Sequence, residues 1–465
     1  MSKLFVFSIG GTGSRVVRAL TYLLASGVKL SGCEEVVPVI IDPDAQNADM
    51  NRTIDLLKTY KNIQDQLGTD CGFFSTRINT LEGSFIFDFG GLNQKFKDFI
   101  NLNGMDNDTQ SLIRLLFTKD NLDSSLNIGF RGSPNVGSVV LNQLINSTAF
   151  KEFAVNFNTG DKIFVISSIF GGTGAAGFPL LLKNLRRSDG GFSNSEAIAQ
   201  AIVGSVTVLP YFRLADTDGS PIDSNTFITK TKAALSYYKD HLDEVNALYY
   251  IADEPDAPYP NEPGGTTQRN KAHFVELLSA LAIVDFCSTD LAHTHREYFE
   301  YGLLDDSKVI TFEYLDKVTR SRLAKALIAF KYFARYFRDY LPQDTATDYY
   351  KRMELKNKLD SNPFYRDLER LLMDKDFGFF HWLDELGTNS RSFRPFELGS
   401  GDFNQLVKGK SIKTGLFSKG LSHSYFLERL IKNEKKNNEP NTEKKFIQLF
   451  HQVVHEAIED KIPTI

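Results

Sequence analysis

The sequence has few of the residues from which disulfide frameworks and zinc sites are built. Its three cysteines, Cys33, Cys71 and Cys287, lie far apart, and no two of them form a CxxC pair. An odd number of widely spaced cysteines argues against a disulfide framework and against a cysteine-ligated zinc site. It is typical of a reducing compartment, and we therefore expect a cytoplasmic protein.

Long apolar runs and an excess of one charge are also missing. No stretch approaches the length of about 18 apolar residues that a membrane-spanning helix needs. The opening MSKLFVFSIGGTG reaches glycine too early for a signal peptide. The 53 basic residues are interleaved with 58 acidic ones, for a formal net charge of -5. This balance leaves no broad basic surface, so we expect neither a membrane span nor nucleic-acid binding.

The first half of the chain alternates between strand-like and helix-like patterns. Short apolar runs, such as LFVFSI at 4–9 and KIFVISSIF at 162–170, precede segments with apolar residues at helical spacing. This alternation is typical of an α/β fold, in which helices cover a parallel sheet. With 465 residues, the chain is long enough for two or three domains.

Changes in composition divide the chain into predicted parts. The first half is α/β, whereas long amphipathic helices dominate the second half. The predicted parts are an α/β domain at 1–268 with an insertion-like stretch at 55–128, a buried central helix at 269–288, a mainly helical second domain at 289–431, a polar linker at 432–445, and an amphipathic C-terminal helix at 446–465.

Two glycine-rich loops follow apolar strands. They are SIGGTGSR at 8–15 and FGGTGAAGFP at 170–179. Glycine lets the backbone turn sharply after a strand and lets an oxygen-rich ligand approach the amides. A helix that starts there adds N–H groups and a dipole that favour phosphate. One such loop is also compatible with a plain strand-to-helix turn, but the pair indicates phosphate binding.

Two common phosphate-binding motifs fit the sequence incompletely. A Walker loop is GxxxxGK[ST], and before GKS at 409–411 the leading glycine is replaced by Asn404. A Rossmann dinucleotide site finds two of its three glycines in GGTGSRV at 10–16 and its acid at Asp42. That reading gives the second glycine loop no role, and an NAD-binding oxidoreductase stays open as the weaker alternative.

The ordered set of motifs resembles the tubulin and FtsZ superfamily. FGGTGAAGFP is similar to the FtsZ signature loop GGGTGTGAAP, and IGGTGSRVV is similar to the first phosphate loop of the family. DPDAQNAD resembles the FtsZ stretch NTDAQ, GFRGSPNVGS at 129–138 resembles GAGGNPEVG, and VGSVTVLPYF resembles the VVTKPF strand and loop. The resemblance covers roughly residues 3–288. It implies a protein that binds GTP or GDP with Mg²⁺ and associates with itself depending on the nucleotide.

The same resemblance implies the positions of the site. Four loops surround the phosphates, ribose and metal, and the central helix contacts the base through Asn270, His273 and Phe274. Asp44 and Gln46 would hold Mg²⁺ through water, since this ion keeps several waters. The implied nucleotide-binding residues are Gly10, Gly11, Thr12, Gly13, Ser14, Arg15, Asp42, Asp44, Gln46, Arg131, Gly132, Asn135, Gly137, Gly171, Gly172, Thr173, Gly174, Ala175, Asn270, His273 and Phe274.

The sequence departs from the family pattern in ways that bear on hydrolysis. Phe170 and Ala176 replace small residues of the signature loop, and the NxDxxD loop that completes a neighbouring subunit's site is not recognisable. Asp285 and Asp290 are the nearest acids and the implied catalytic residues in trans. Hydrolysis of this kind needs a positioned water and charge neutralisation. A slow GTPase and a nucleotide-gated scaffold without turnover therefore both remain open.

The second half offers weaker signals. The last helix has an apolar face that packs on its own domain or docks a protein partner. His451, His455 and Glu459 on that helix have a spacing that can ligate zinc, but no other cluster of ligands accompanies them. We expect packing to explain this helix better than metal binding.

Overall fold

The computed structural model describes most of the chain. The described residues are 2–88, 90–130, 133–214, 224–242, 245–254, 258–259, 265–291, 296–300, 307–397, 399, 402–410, 412 and 420–462. Two candidate site residues, Arg131 and Gly132, lie outside these ranges.

Seven parallel strands form one sheet in the order β3-β2-β1-β4-β5-β7-β9. In β1, β2, β4 and β5 every residue after the first is buried, as in a sheet covered on both faces. The strands of the described residues are β1 Lys3–Ile9, β2 Glu35–Ile41, β3 Arg77–Ile78, β4 Lys162–Ser168, β5 Ile202–Val208, β6 Arg213–Leu214, β7 Ala247–Ile251, β8 Pro258–Tyr259, β9 Glu297–Glu300, β10 Val309–Ile310 and β11 Ser392–Phe393.

Helices cover the sheet and make up most of the second half. The α-helices of the described residues are α1 Gly10–Ala25, α2 Ala48–Leu67, α3 Phe96–Phe99, α4 Asn107–Leu116, α5 Lys119–Asp123, α6 Pro134–Leu141, α7 Thr148–Asn156, α8 Gly172–Leu185, α9 Ser195–Ala199, α10 Ser224–His241, α11 Phe274–Ser288, α12 Lys317–Asp339, α13 Asp348–Arg352, α14 Leu355–Ser361, α15 Pro363–Met373, α16 Phe379–Gly387, α17 His423–Glu434 and α18 Thr442–Lys461.

Helix α11 is the buried helix between the sheet and the second half. It packs on α1, β5 and β7, and its Phe286 ring lies 5.2 Å from the ring of Phe164 in β4. A Cβ on Gly204 of β5 would lie 2.5 Å from the Phe286 ring, so the glycine at this position lets the helix approach the sheet. The predicted central helix, the parallel α/β sheet and the mainly helical second half are thus confirmed.

Several boundaries differ in detail from the predicted parts. Helix α2 already runs into the stretch 55–128 and packs on α1, so the start of that stretch belongs to the layer around the sheet. Strand β9 lies within 289–431 and extends the main sheet. In the stretch 432–445, α17 ends at Glu434 and α18 begins at Thr442. None of the helices within the described ranges is long and apolar enough to cross a membrane.

Candidate functional site

The two GGTG loops meet at the carboxyl edge of the sheet. Strands β1 and β4 are neighbours, with Ser8 beside Ile166, so the loops that follow them emerge side by side. A Cβ placed on Gly10 would lie 3.6 Å from Cβ of Thr173 and 3.9 Å from the amide nitrogen of Gly174. The carboxyl edge of a parallel sheet is where open α/β proteins bind ligands.

Three helix N-termini converge on this edge. Helices α1 and α8 begin within the two glycine-rich segments, at Gly10 and Gly172, and α6 packs on α8. Within the described residues, no side chain caps these three helices, and none of them has an acid in its first turn. Helices α2, α4 and α12, in contrast, are capped by Asn47, Asp106 and Asp316. The amides at the start of α1 and α8, and those that follow Pro134 in α6, therefore have no side-chain acceptor. Helices α14 and α16 lack one too, so it is the meeting of three such N-termini at one edge that favours a ligand, and we call these three N-termini the phosphate cradle.

Close packing explains several cradle glycines. A Cβ on Gly13 would lie 2.8 Å from the carbonyl carbon of Ser8, and one on Gly174 would lie 2.5 Å from the Ser168 carbonyl oxygen. A Cβ on Gly137 would lie 2.9 Å from Cβ of Ala176. These glycines bring α1, α8 and α6 against the sheet and against one another. By contrast, a Cβ on Gly11 would make only ordinary contacts, at 3.6 Å from Arg15 and Asn47.

The two atypical residues of FGGTGAAGFP have packing roles. The ring of Phe170 is buried against Tyr211 and Phe212 of the loop after β5, with the Phe212 ring centroid 5.5 Å away. Ala176 faces Gly137 of α6 across the α6–α8 contact. The larger Phe170 thus fills the space below the loop, and the small pair Gly137 and Ala176 lets the third loop approach the fourth.

Arg15 is held by buried partners beside the cradle. Its Nη1 donates to Asp49 (2.9 Å), its Nη2 to the Tyr211 hydroxyl (2.8 Å), and its Nε to Glu276 (2.5 Å). The Tyr211 hydroxyl in turn donates to Glu276 (2.9 Å). Desolvation disfavours the charged guanidinium, but these partners outweigh it and raise the pKa of Arg15. The side chain thus ties α1 to α2, α11 and the loop after β5.

The buried charges continue into the helical half. Arg52 donates to Asp49 (2.9 Å) and to Glu385 of α16 (2.8 Å), and Glu385 also accepts from Arg18 (2.8 Å). Burial alone would raise the pKa of Glu385, but Arg18 and Arg52 hold it well below its usual range. We call the set Arg15, Arg18, Asp49, Arg52, Glu276 and Glu385 the charge network; all six side chains are less than 10 % exposed.

The loop after β2 supplies carboxylates next to the cradle. Both oxygens of Asp44 accept backbone amides, from Gln46 (3.1 Å) and Gly265 (2.6 Å). Burial, reinforced by Asp44 and Asp49, raises the pKa of Asp42 to about 7 against the opposing hydrogen bond from the Asp44 amide. Gln46 is exposed. No cluster of three or more metal-binding His, Cys, Asp or Glu side chains occurs among the residues described, yet carboxylate oxygens suit Mg²⁺, which needs few protein ligands.

The three residues expected to contact a base are engaged in packing and capping. Asn270 donates from its side chain to Asp49 (2.8 Å), and the Phe274 ring stacks on Phe393 with centroids 5.1 Å apart. His273 caps α11 by accepting the Val275 amide (3.1 Å). The cavity that Asn270 and His273 line together with Arg15 is about 10 Å³, enough for one water. A base stacked on Phe274 would first have to displace Phe393.

The His273 cap makes stability depend on pH. Burial, with Arg15 and Arg391 nearby, lowers the pKa of His273 to about 3 from its usual 6.5. The stabilisation from a neutral His273 is complete above pH 6.5 and is lost as the pH falls towards 3. Between pH 7.5 and 5, we expect this residue to cost the wild type about 2 kcal/mol of unfolding free energy. His273→Asn keeps a good N-cap without the titration.

Urea unfolding of both proteins at the two pH values checks this prediction. From pH 7.5 to 5, the unfolding free energy of the wild type should fall by about 2 kcal/mol more than that of His273→Asn, because the other titrating groups affect both proteins equally. Equal losses would mean that His273 titrates normally in the folded protein.

The candidate catalytic acids lie at the opposite edge of the sheet. Helix α11 begins beside Arg15 and ends where Lys162, the first residue of β4, donates to the Cys287 carbonyl (3.4 Å). Asp285 in its last turn accepts from Tyr249 (2.8 Å) and from Arg322, and is only 8 % exposed. Asp290 is exposed. Neither acid can reach the cradle of its own chain, because α11 spans about 20 Å.

Sequence patterns did not predict several of the residues that surround the cradle. Asp49, Tyr211 and Glu276 hold Arg15, and Gln268 accepts from Asn47 (3.1 Å). The spacing of Asp49 and Arg52 on α2 is a local signal for an ion pair. The other partners are distant in sequence and carry no such signal. A groove of about 450 Å³ also borders the cradle between α6, α8 and α10, lined by Asn135, Ala175 and Tyr237 among others.

Comparisons with known proteins give a likeness at the level of structure. The chain matches no protein-family model and no curated protein. Solved structures that resemble it include CetZ from Methanosaeta thermophila strain DSM 6194, at 13% identity over 54% of this chain and 46% of that one, with a TM-score of 0.28. Another is the GDP-bound monomer of CetZ1 from Haloferax volcanii, at 16% identity over 54% of this chain and 51% of that one, also with a TM-score of 0.28. The match thus spans about half the length of each.

Proposed function

We propose that the chain is a tubulin/FtsZ-like protein that binds GTP or GDP at the phosphate cradle and associates with itself depending on the nucleotide. One observation carries the proposal: the uncapped N-termini of α1, α6 and α8 converge at one edge of the sheet. Backbone amides and helix dipoles at such a point favour an anion with several oxygens, as in a nucleotide's phosphates. The order of the loops along the chain resembles that of tubulin and FtsZ and supports a guanine nucleotide as the ligand.

The parts of the cradle have different proposed roles. The amides of Gly10, Gly11, Thr12 and Gly13 contact the phosphates from one side, and those of 171–174 from the other. The Ala175 amide donates to the Gly171 carbonyl (3.2 Å), so its predicted contact would come from its side chain alone. Asn135 and Gly137 lie beside the terminal phosphate, whereas Arg131 and Gly132, which the resemblance also predicts there, lie outside the described residues. Ser14 and Arg15 act differently: the Ser14 hydroxyl is buried, and Arg15 positions α1 through its carboxylate partners. Base contacts from Asn270, His273 and Phe274 remain a prediction.

The carboxylates beside the cradle fit a magnesium ion. Asp44, with Asp42 and Gln46 in the same loop, would hold Mg²⁺ through water, and the ion would neutralise phosphate charge there. Burial, with Asp44 and Asp49 nearby, raises the pKa of Asp42 to about 7, and a cation bound in this loop would favour the ionised carboxylate.

A binding and sedimentation experiment tests the proposal. We expect labelled GTP to bind with 1:1 stoichiometry and Mg²⁺ to strengthen binding, while NAD binds weakly. The pelleted fraction should rise with GTP. Binding of NAD together with no binding of GTP and no effect of GTP on the pelleted fraction would instead support the oxidoreductase alternative.

Substitution of the exposed Asp290 tests whether a neighbouring subunit supplies an acid for GTP hydrolysis. If neighbouring subunits complete the site, phosphate release per subunit should rise with protein concentration. Asp290→Asn should lower it at least about tenfold, because an uncharged amide cannot activate water, while GTP affinity stays unchanged. Release measured at several concentrations checks this.

A scaffold without turnover is the second candidate. It is favoured by Asp285, whose carboxylate is bound by Arg322 and Tyr249 and is therefore not available to a water. In that case GTP still drives association, and phosphate release stays at the background rate in the wild type and in Asp290→Asn.

A further inference from the structure

A second pocket lies at the amino edge of the sheet, opposite the phosphate cradle. It is formed by the turn after α1, the last turn of α11, the first turns of α12, and α18. Its volume is about 280 Å³, close to the lower range for small-molecule sites. Its polar lining includes Lys29, Ser321, Arg322, Lys325, His451 and His455, and we call it the basic pocket.

Positive charge exceeds negative charge in the basic pocket. Arg322 binds Asp285 and donates to the Ser288 hydroxyl (3.1 Å), and Lys325 binds Glu459 (2.8 Å). Lys29 is exposed and, within the part of the chain that the structure describes, has no carboxylate partner. Three cations thus face two carboxylates, which leaves one positive charge for a ligand to neutralise.

The two histidines add neutral hydrogen-bond donors. Their rings lie one turn apart on α18 with centroids 4.2 Å apart, and His451 packs edge-on against Phe73 (4.9 Å). Burial, helped by His455, Lys29 and Lys325, lowers the pKa of His451 to about 4. At neutral pH each uncharged imidazole offers one N–H. An anion between these rings and the lysines would accept these bonds and favour protonation of the rings.

The same geometry disfavours the zinc site that the spacing of His451, His455 and Glu459 suggests. The Glu459 carboxylate is paired with Lys325 and does not join the two histidines. The cations that line the pocket would also repel a metal ion. No third His, Cys, Asp or Glu completes a metal-binding group in the described ranges. The ligand chemistry that fits is therefore anionic.

We propose that the basic pocket binds a phosphate-type oxyanion, either free phosphate or the phosphoryl group of a small metabolite. Its oxygens accept charge-assisted bonds from Lys29 and Lys325, together with bonds from the two imidazoles. The ligand neutralises the excess charge of the pocket. The site is independent of the proposed nucleotide site, because the two lie at opposite edges of the sheet.

Calorimetry with inorganic phosphate, glycerol 3-phosphate and uncharged glycerol tests the proposal. The titrations use the full chain carrying Gly11→Asp, which blocks the cradle, so that only other sites are measured. We expect one site for phosphate, and Lys29→Glu in this background should weaken it at least about tenfold because it replaces attraction with repulsion. The control Lys356→Glu, on exposed α14, should leave the affinity unchanged. Tighter binding of glycerol 3-phosphate would assign the site to a metabolite, and equal binding to the free ion.

Histidine NMR gives a second readout that a nonspecific charge effect would not move. Bound phosphate should raise the pKa of His451, and the shift should vanish in Lys29→Glu. Absence of phosphate binding, or binding that Lys29→Glu and Lys356→Glu weaken equally, would overturn the proposal. So would a saturable site with no change at the histidines. Whether Gly11→Asp loses GTP binding does not affect phosphate binding at the basic pocket. The experiment can therefore overturn the nucleotide proposal and the phosphate proposal independently of each other.

Discussion

Gly11→Asp is expected to abolish nucleotide binding while leaving the fold intact. Gly11 is the second residue of α1, and its amide belongs to the phosphate cradle. A Cβ there would lie 3.6 Å from its nearest neighbours, the side chains of Arg15 and Asn47, so it collides with no backbone atom. A carboxylate about 4 Å from a phosphate costs about 4 kcal/mol at the effective dielectric constant of a protein surface. We expect GTP affinity to fall at least about 100-fold, measured by titration of labelled nucleotide.

Gly11→Ala is the matched control for this variant. It adds the same Cβ without the charge, so it should bind GTP nearly as the wild type does, and both variants should keep the wild-type urea midpoint. Substitutions at Gly13 or Gly174 are unsuitable, because their Cβ atoms would collide with the backbone of Ser8 and Ser168. Equal GTP affinity in Gly11→Asp and Gly11→Ala would contradict the assignment of the cradle.

Glu385→Ala is expected to lower the free energy of unfolding by about 3 to 5 kcal/mol, as typically follows when one partner of a buried ion pair is removed. Glu385 accepts from Arg18 and Arg52, and also from the Ala272 amide (3.1 Å). Without it, two buried guanidinium groups lose the carboxylate they share. Trp382, the single tryptophan, lies on the same helix and stacks on Tyr22 of α1 with centroids 4.7 Å apart. Its fluorescence therefore reports urea unfolding at this junction.

Two further variants separate charge from packing. Glu397→Ala removes an exposed carboxylate that pairs with Lys408 (3.2 Å), and it should change stability by less than about 1 kcal/mol. Glu385→Gln keeps the shape and the acceptor but removes the charge, so it should fall between the other two. If Glu385→Ala were no more destabilising than Glu397→Ala, the charge network would not hold α1 and α2 to α16.

Local patterns were enough to predict the fold and the loops of the candidate site. The alternation of apolar runs with helical periodicity led to the parallel sheet, and the nearly uniform apolar character of 269–288 led to the buried helix α11. The glycines of the GGTG loops indicated turns at the carboxyl edge. Strand β9 was missed because EYFE at 297–300 is short and has no long apolar run around it.

The sequence by itself determined the long apolar strands, the long helices and the glycine-rich segments between them, because these depend on side-chain periodicity and backbone freedom within about ten residues. Only the tertiary structure decided what surrounds the loops. Arg15 meets Glu276 across 261 positions of the chain, and Arg18 meets Glu385 across 367. Phe274 likewise stacks on Phe393, which is 119 positions further along the chain. Such pairings follow from how helices pack once the core has formed, and nothing local to either residue specifies its partner.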